Sequence, residues 1–279
     1  MLASALQTAA RRLHPLVETI HTVTYFAEEP TEQLMALGLR NYWDGYFAAR
    51  SAPLGQVPAE VVDAIFYNFA PGEVARHIPR VWKITTPQAA LAARDRGCLL
   101  ALRRLLGDLA DSPRLARAAD LAIKIGTSAS TEGRPLYAGL RTLTMPKEPV
   151  LRLWYGATLI REHRGDGHNA ALAAAGIGRT EAHVLHALYE GIPAAKFGRV
   201  GHLPSAQLTA VVDGMRNRGL VDDCGWLSQA GRQIKTRIET ATDQLAAAAL
   251  HALPPAELDQ LFADLEPICA VIEEQTPSF

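Results

Sequence analysis

Apolar residues recur every three or four positions along most of the chain, the period of an amphipathic helix. Leu6, Ala9, Leu13, Leu16 and Ile20 form one such stripe, Leu34, Leu37, Tyr42 and Tyr46 a second, and Val61, Ile65 and Phe69 a third. The same spacing predicts helices over residues 73–82, 87–106, 113–124, 150–163, 169–175, 179–190, 205–218, 228–249 and 256–274. Strand-like patterning is confined to residues 219–223 and 225–227, too close together for more than a very short β-hairpin. The expected fold class is therefore mainly α, in two helical halves spanning residues 1–145 and 146–279.

Residues 36–50 align without gaps on residues 150–164, pairing Leu37 with Leu151, Leu39 with Leu153 and Arg50 with Arg164. Two readings are open: a degenerate tandem repeat, or the easy alignment of one alanine-rich helix with another. A true repeat would set the Arg50 and Arg164 loops face to face.

At 279 residues, 48% hydrophobic and 20% charged, the chain can bury a large core. A net charge of −1 gives no global attraction to nucleic acid or to an anionic membrane. The three cysteines, Cys98, Cys224 and Cys269, are far apart and form no C-x-x-C pair, which fits a reducing cytoplasm better than a disulfide framework. No apolar stretch approaches the ~18 residues of a membrane span, and the start of the chain lacks signal-peptide character.

Chemistry concentrates in residues 161–168, Arg-Glu-His-Arg-Gly-Asp-Gly-His, set between apolar segments that draw it inward. Asp166 has the form of a helix N-cap for the alanine-rich run that follows. In the sharper reading, Gly165 and Gly167 let the backbone approach a ligand, while Asp166 fixes the tautomer of His163 or His168 for acid–base work. Arg161 and Arg164 share one helical face and point toward a carboxylate or phosphate, with Arg50 beside them; the plainer account pairs them with Glu162 and Asp166. His21 and Tyr25 form a second polar pair at helical spacing, and Tyr46 belongs to an aromatic set that either lines a pocket or fills a core. His183 and His186 lack the further ligands of a zinc site. The cofactor is unknown, and heme ligation by a histidine stays open although C-x-x-C-H is absent.

From Ile177 onward the order helix, connector, helix, Arg218-Gly-Leu220, Leu227-Ser-Gln-Ala-Gly231, long helix resembles the MarR-type winged-helix regulators. Across the whole chain, the 46–55 and 153–168 segments resemble an actinobacterial helix-turn-helix family of unassigned function. These resemblances imply a winged-helix-like second half and homodimerisation through the long final helices, but no catalytic residues. Where a MarR wing carries arginine to the minor groove, this chain has only Asp222-Asp-Cys-Gly225, so DNA binding is disfavoured.

The leading expectation is a cytoplasmic protein that binds a small aromatic or anionic molecule between its halves. Arg50, Tyr46, Arg161, His163, Arg164, Asp166 and His168 would build that pocket, with His21 and Tyr25 at its edge. The alternatives are a ligand-responsive MarR-like regulator, and an enzyme using His168 or His163 as base with Asp166 as orienter.

Overall fold

The computed structural model describes residues 2–275, and among them thirteen α-helices joined by short 3-10 turns. They are α1 (Leu2–Phe26), α2 (Glu28–Met35), α3 (Tyr42–Ser51), α4 (Ala59–Phe66), α5 (Pro87–Leu106), α6 (Pro113–Ser128) and α7 (Pro135–Arg141). After these come α8 (Pro149–Ala174), α9 (Arg179–Tyr189), α10 (Gly198–Gly201), α11 (Ser205–Asn217), α12 (Gln229–Ala247) and α13 (Pro255–Gln275). The protein is mainly α. None of the described helices is long and apolar enough to cross a membrane.

Local chemistry sets the boundaries. Thr86, Ser112, Glu148 and Ser228 each accept a first-turn backbone N–H, and proline follows at the first helical position in α5, α6 and α8. The stripe expected to run from Leu34 to Tyr46 breaks at Gly38, whose φ of 89° only glycine adopts without strain, and restarts at Asn41, which caps α3. The helix expected over 73–82 is two 3-10 turns, Val74–Arg76 and Arg80–Lys83, because Pro79 lacks the N–H that a continuous ladder needs. The hairpin reduces to a single antiparallel bridge between Val221 and Leu227.

The buried apolar residues form three clusters, two of which include α8. The largest joins α1, α5, α6 and α13 to the first half of α8, around Trp154, Leu153 and Leu159. The second gathers α2, α3, α4 and the 3-10 turns around Phe47, Phe66 and Phe69, with the buried Asp44 carboxylate accepting from His77 at 2.6 Å and from Arg80. The third packs the last turns of α8 against α9, α11 and α12. α6 and α8 approach closely because Gly126 and Gly156 face each other's helix: a Cβ on Gly156 would lie 2.9 Å from the Ala122 Cβ. The apolar face of α13, with Leu261, Phe262, Leu265 and Ile268, is buried within the same chain.

The paired residues of the supposed repeat occupy unlike elements. Leu37 and Leu39 lie in the turn between α2 and α3, whereas Leu151 and Leu153 are inside α8.

Candidate functional site

Residues 161–168 are not a loop. They continue α8 without interruption, so Asp166 caps nothing in its own chain direction and Gly165 and Gly167 do not bend the backbone. The sequence reading failed here because two glycines in three residues usually end a helix. In this fold Gly167 is required by a neighbour: a Cβ there would overlap the Arg134 guanidinium. That guanidinium donates to the carbonyls of His163 at 2.6 Å and Leu245 at 3.3 Å. Asp166 accepts instead from the backbone N–H of Tyr137 at 3.0 Å, in the first turn of α7. It therefore caps a different helix from the one expected, across the packing interface.

Next to it lies an ion-pair chain. Glu162, 3% exposed, accepts from Arg50 Nε and Nη2 at 3.3 and 3.2 Å and from Arg161 Nη1 at 2.9 Å. Arg161 also forks onto Glu18 of α1 at 2.9 and 3.2 Å. Burial works to raise both carboxyls, but the arginine charges outweigh it; Glu18 is held at about 2 and Glu162 is also well below its ordinary range. Arg164 pairs with Asp243 of α12 at 2.9 Å. Lys235 pairs with Glu239 one turn along α12.

These groups line a cleft of about 480 Å³. Its polar wall comes from α1, α3, α8 and α12 and includes His14, Glu18, Arg50, Arg161, Arg164, Asp166, His168, Lys235 and Glu239. Its more apolar wall comes from Ile65 and Phe66 of α4, Leu172, and Leu185 and Tyr189 of α9, with His183, His186 and Glu190 at the same side. Tyr46 stands behind this wall, its hydroxyl accepting from Arg50 at 3.0 Å. His21 and Tyr25 are deeper still: His21 Nδ1 meets Thr158 Oγ1 at 3.0 Å and Nε2 meets the Tyr25 hydroxyl at 3.1 Å. Both border an internal void of about 20 Å³ rather than the cleft. His163 turns away from it and packs edge-on against the Tyr137 ring, 5.0 Å between centroids.

Asp166 touches neither imidazole. Positions 166 and 168 lie on different sides of a helix, and the partner of His168 is Thr242 of α12, at 3.0 Å from Nδ1. Burial pulls His14, His163 and His168 down to about 4, so all three are neutral at pH 7. Burial also raises the Asp166 carboxyl to about 7. Among the described residues no three His, Cys, Asp or Glu side chains converge as a metal-ligand set.

Sequence reasoning missed His14, Glu18, Lys235, Glu239, Thr242 and Asp243. A usable signal existed: 14 and 18, 235 and 239, and 239 and 243 are i,i+4 polar pairs within otherwise apolar helical patterns.

The profile of a helix-turn-helix family matches residues 10–277. The chain belongs to this helix-turn-helix family. No curated protein and no solved structure matches it. In this helix-turn-helix protein α9 forms one side of the cleft and packs against α11 on its other side. Several contacts hold this end of the molecule to the α4 region: Tyr67 Oη donates to the Ile177 carbonyl at 2.7 Å, Arg179 to Asp63 at 2.6 Å and to the Phe69 carbonyl at 3.3 Å, His183 Nε2 to the Asn68 carbonyl at 2.9 Å and Asn169 to the Ile65 carbonyl at 2.9 Å. Tyr67 does so from a left-handed backbone, φ 61°.

The cations of α11 and its C-terminal cap are engaged internally. Arg216 bonds to Asp213 and to the Asp222 carbonyl; Arg218 bonds to Glu181 and to the Gly176 carbonyl. Ser205, Gln207 and Thr209 are exposed on α11, and Asp222 and Asp223 on the neighbouring turn.

Proposed function

We propose that this helix-turn-helix protein binds a small molecule in the cleft between the polar wall of α1, α3, α8 and α12 and the more apolar wall of α4 and α9. The observation that carries this reading is the cleft itself, of a size suited to a small organic ligand and lined by convergent polar groups opposite an apolar face. Its segments from α9 to α12 are of winged-helix ancestry, with weak DNA binding as a consequence of the engaged arginines and acidic turn. Arg50, Arg161, Arg164, Asp166 and His168 are the ligand-facing set, and Tyr46, His21 and Tyr25 support it from behind. Native mass spectrometry of the purified protein, followed by calorimetric titration of whatever small molecule is retained, tests this. Wild type is expected to bind and an Arg164→Ala/His168→Ala variant to lose at least about tenfold in affinity; equal binding by both would remove the site.

A second reading, a ligand-responsive regulator, is favoured by the family match and by α9 serving both the cleft and α11. An occupant that displaces α9 would reposition α11 on DNA. Regulation of this kind calls for a homodimer, whose interface would lie elsewhere than on the buried face of α13. A gel shift with DNA flanking the protein's own gene, at about 0.15 M salt, decides it: a shift altered by ligand supports regulation, and no shift removes it.

A further inference from the structure

The cleft's charges already cancel one another. Its four lining cations, Arg50, Arg161, Arg164 and Lys235, are each paired with a carboxylate: Glu162, Glu18 and Glu162, Asp243 (shared with the exposed Arg11), and Glu239 respectively, and two further carboxyls, Asp166 and Glu190, line the same cleft. A carboxylate ligand would give up hydration and meet no uncompensated positive charge, or would have to displace a buried acidic side chain.

Hydrogen-bonding capacity is left over on three cleft-lining side chains: His14 Nδ1 and Arg164 Nε are buried without a partner, and His168 and Arg164 each keep a further nitrogen. Thr242 donates its one hydroxyl proton to the Ile238 carbonyl at 2.8 Å, and a carbonyl can only accept. The Thr242 oxygen must therefore accept from His168, which fixes the proton of the neutral imidazole on Nδ1. Nε2 is then a lone-pair acceptor; it has no protein partner and is not sealed from solvent. One turn earlier on the same face, Arg164 bonds to Asp243 through Nη2, while Nη1 has no protein partner and is likewise unsealed. The cleft lining thus carries an acceptor and a donor one helical turn apart, together with Phe66, Ile65 and Leu185.

We infer that the cleft selects an uncharged molecule with an amide-type edge, a carboxamide or lactam N–H directed at His168 Nε2 and its C=O at Arg164 Nη1, carried on an aromatic or alicyclic body. This rests on the cleft being the ligand site. It narrows the aromatic-or-anionic expectation to the uncharged case. Discrimination follows because a site with a fixed acceptor and a fixed donor leaves both unsatisfied when the ligand lacks the complementary pair.

Benzamide and benzoate form a matched pair of probes, nearly equal in shape and different in charge. They are titrated at pH 7 into the full-length protein labelled with 15N-histidine, with affinity read by calorimetry and the imidazole nitrogens by long-range 1H–15N spectra. The free protein is expected to show His168 as the Nδ1-protonated tautomer, benzamide to shift its Nε2 resonance, and benzamide to bind about tenfold or more tighter than benzoate. Thr242→Ser should keep the tautomer and the preference; Thr242→Val, which removes the acceptor, should lose both. An Nε2-protonated His168, or benzoate binding as well as or better than benzamide, overturns the amide-edge inference while leaving the cleft as a site. If neither probe perturbs the His14 or His168 resonances, the cleft reading and the inference fall together.

Discussion

Gly167 and Gly165 sit one residue apart in the same helix and have opposite requirements. A methyl group at 167 runs into Arg134, a side chain 8% exposed and pinned by two carbonyls, so it has nowhere to go. Gly167→Ala is expected to destabilise by about 2 kcal/mol or more, as overpacking does, although alanine is the better helix former. At 165 the nearest atom is Glu162 Oε2 at 3.4 Å, ordinary contact, and Gly165→Ala should be neutral or stabilising by up to ~1 kcal/mol. Urea denaturation of the two variants checks the pair, and equal effects would show that the Arg134 contact is not what demands glycine.

Asp166 and the histidines have opposing pH dependences. Burial raises the folded Asp166 carboxyl to about 7, so its ionisation costs stability above that pH and costs nothing below the unfolded value of 3.8. Asp166→Asn should therefore be more stable than wild type at pH 8, and the difference should vanish as pH falls toward 4. His14, His163 and His168 have folded values lowered to about 4, so their contribution is complete above 6.5 and is lost as pH falls from 6.5 to about 4. Three sites outweigh one, and wild-type urea midpoints should fall across that window, more steeply in Asp166→Asn. A flat profile would contradict the burial of these imidazoles.

Among the elements, the end of α4 is joined to the start of α9 by side-chain hydrogen bonds. Tyr67 holds a left-handed backbone that a glycine would adopt more cheaply, and its phenol supplies the bond to Ile177 that glycine would lack. Tyr67→Phe keeps the ring and removes that bond, leaving a buried carbonyl unpaired, at a cost of about 1 kcal/mol. Hydrogen exchange should then quicken several-fold in α9 and stay unchanged in α6 and the first half of α8. Exchange that rises evenly through all helices would mean global destabilisation and no local clasp. The periodicity of α1, α5, α6 and α13 was readable in the sequence because each buries one stripe. α8 was misread as two helices because it is buried on nearly every side and interrupted by glycine, features that erase an amphipathic period and imitate a loop. Five of the nine expected site residues reach the cleft; Tyr46, His21 and Tyr25 stand outside it, and His163 packs against the Tyr137 ring. The polar pairs of α1 and α12 were legible as i,i+4 spacings, but their meeting with α8 was not, because pairing across about 140 to 230 residues of chain leaves no local signature.

For the whole molecule, a net charge of −1 and an acidic turn beside α11 leave little to hold a phosphate backbone. Asp222→Lys/Asp223→Lys is expected to raise non-specific DNA affinity by several-fold and to steepen its salt dependence, as added phosphate contacts do. Fluorescence anisotropy over a salt series measures both, and an unchanged slope would place any DNA surface away from this turn.

One helix serves two of the three cores and lines the cleft, and that makes its register a shared constraint. Adding or removing a single residue near position 160 would swing everything downstream by about 100°, carrying Arg164 away from Asp243 and His168 away from Thr242 while Trp154 stayed in place. Length change in α8 is thus forbidden where side-chain exchange is merely costly, and variation within this part of the gene should be by substitution alone.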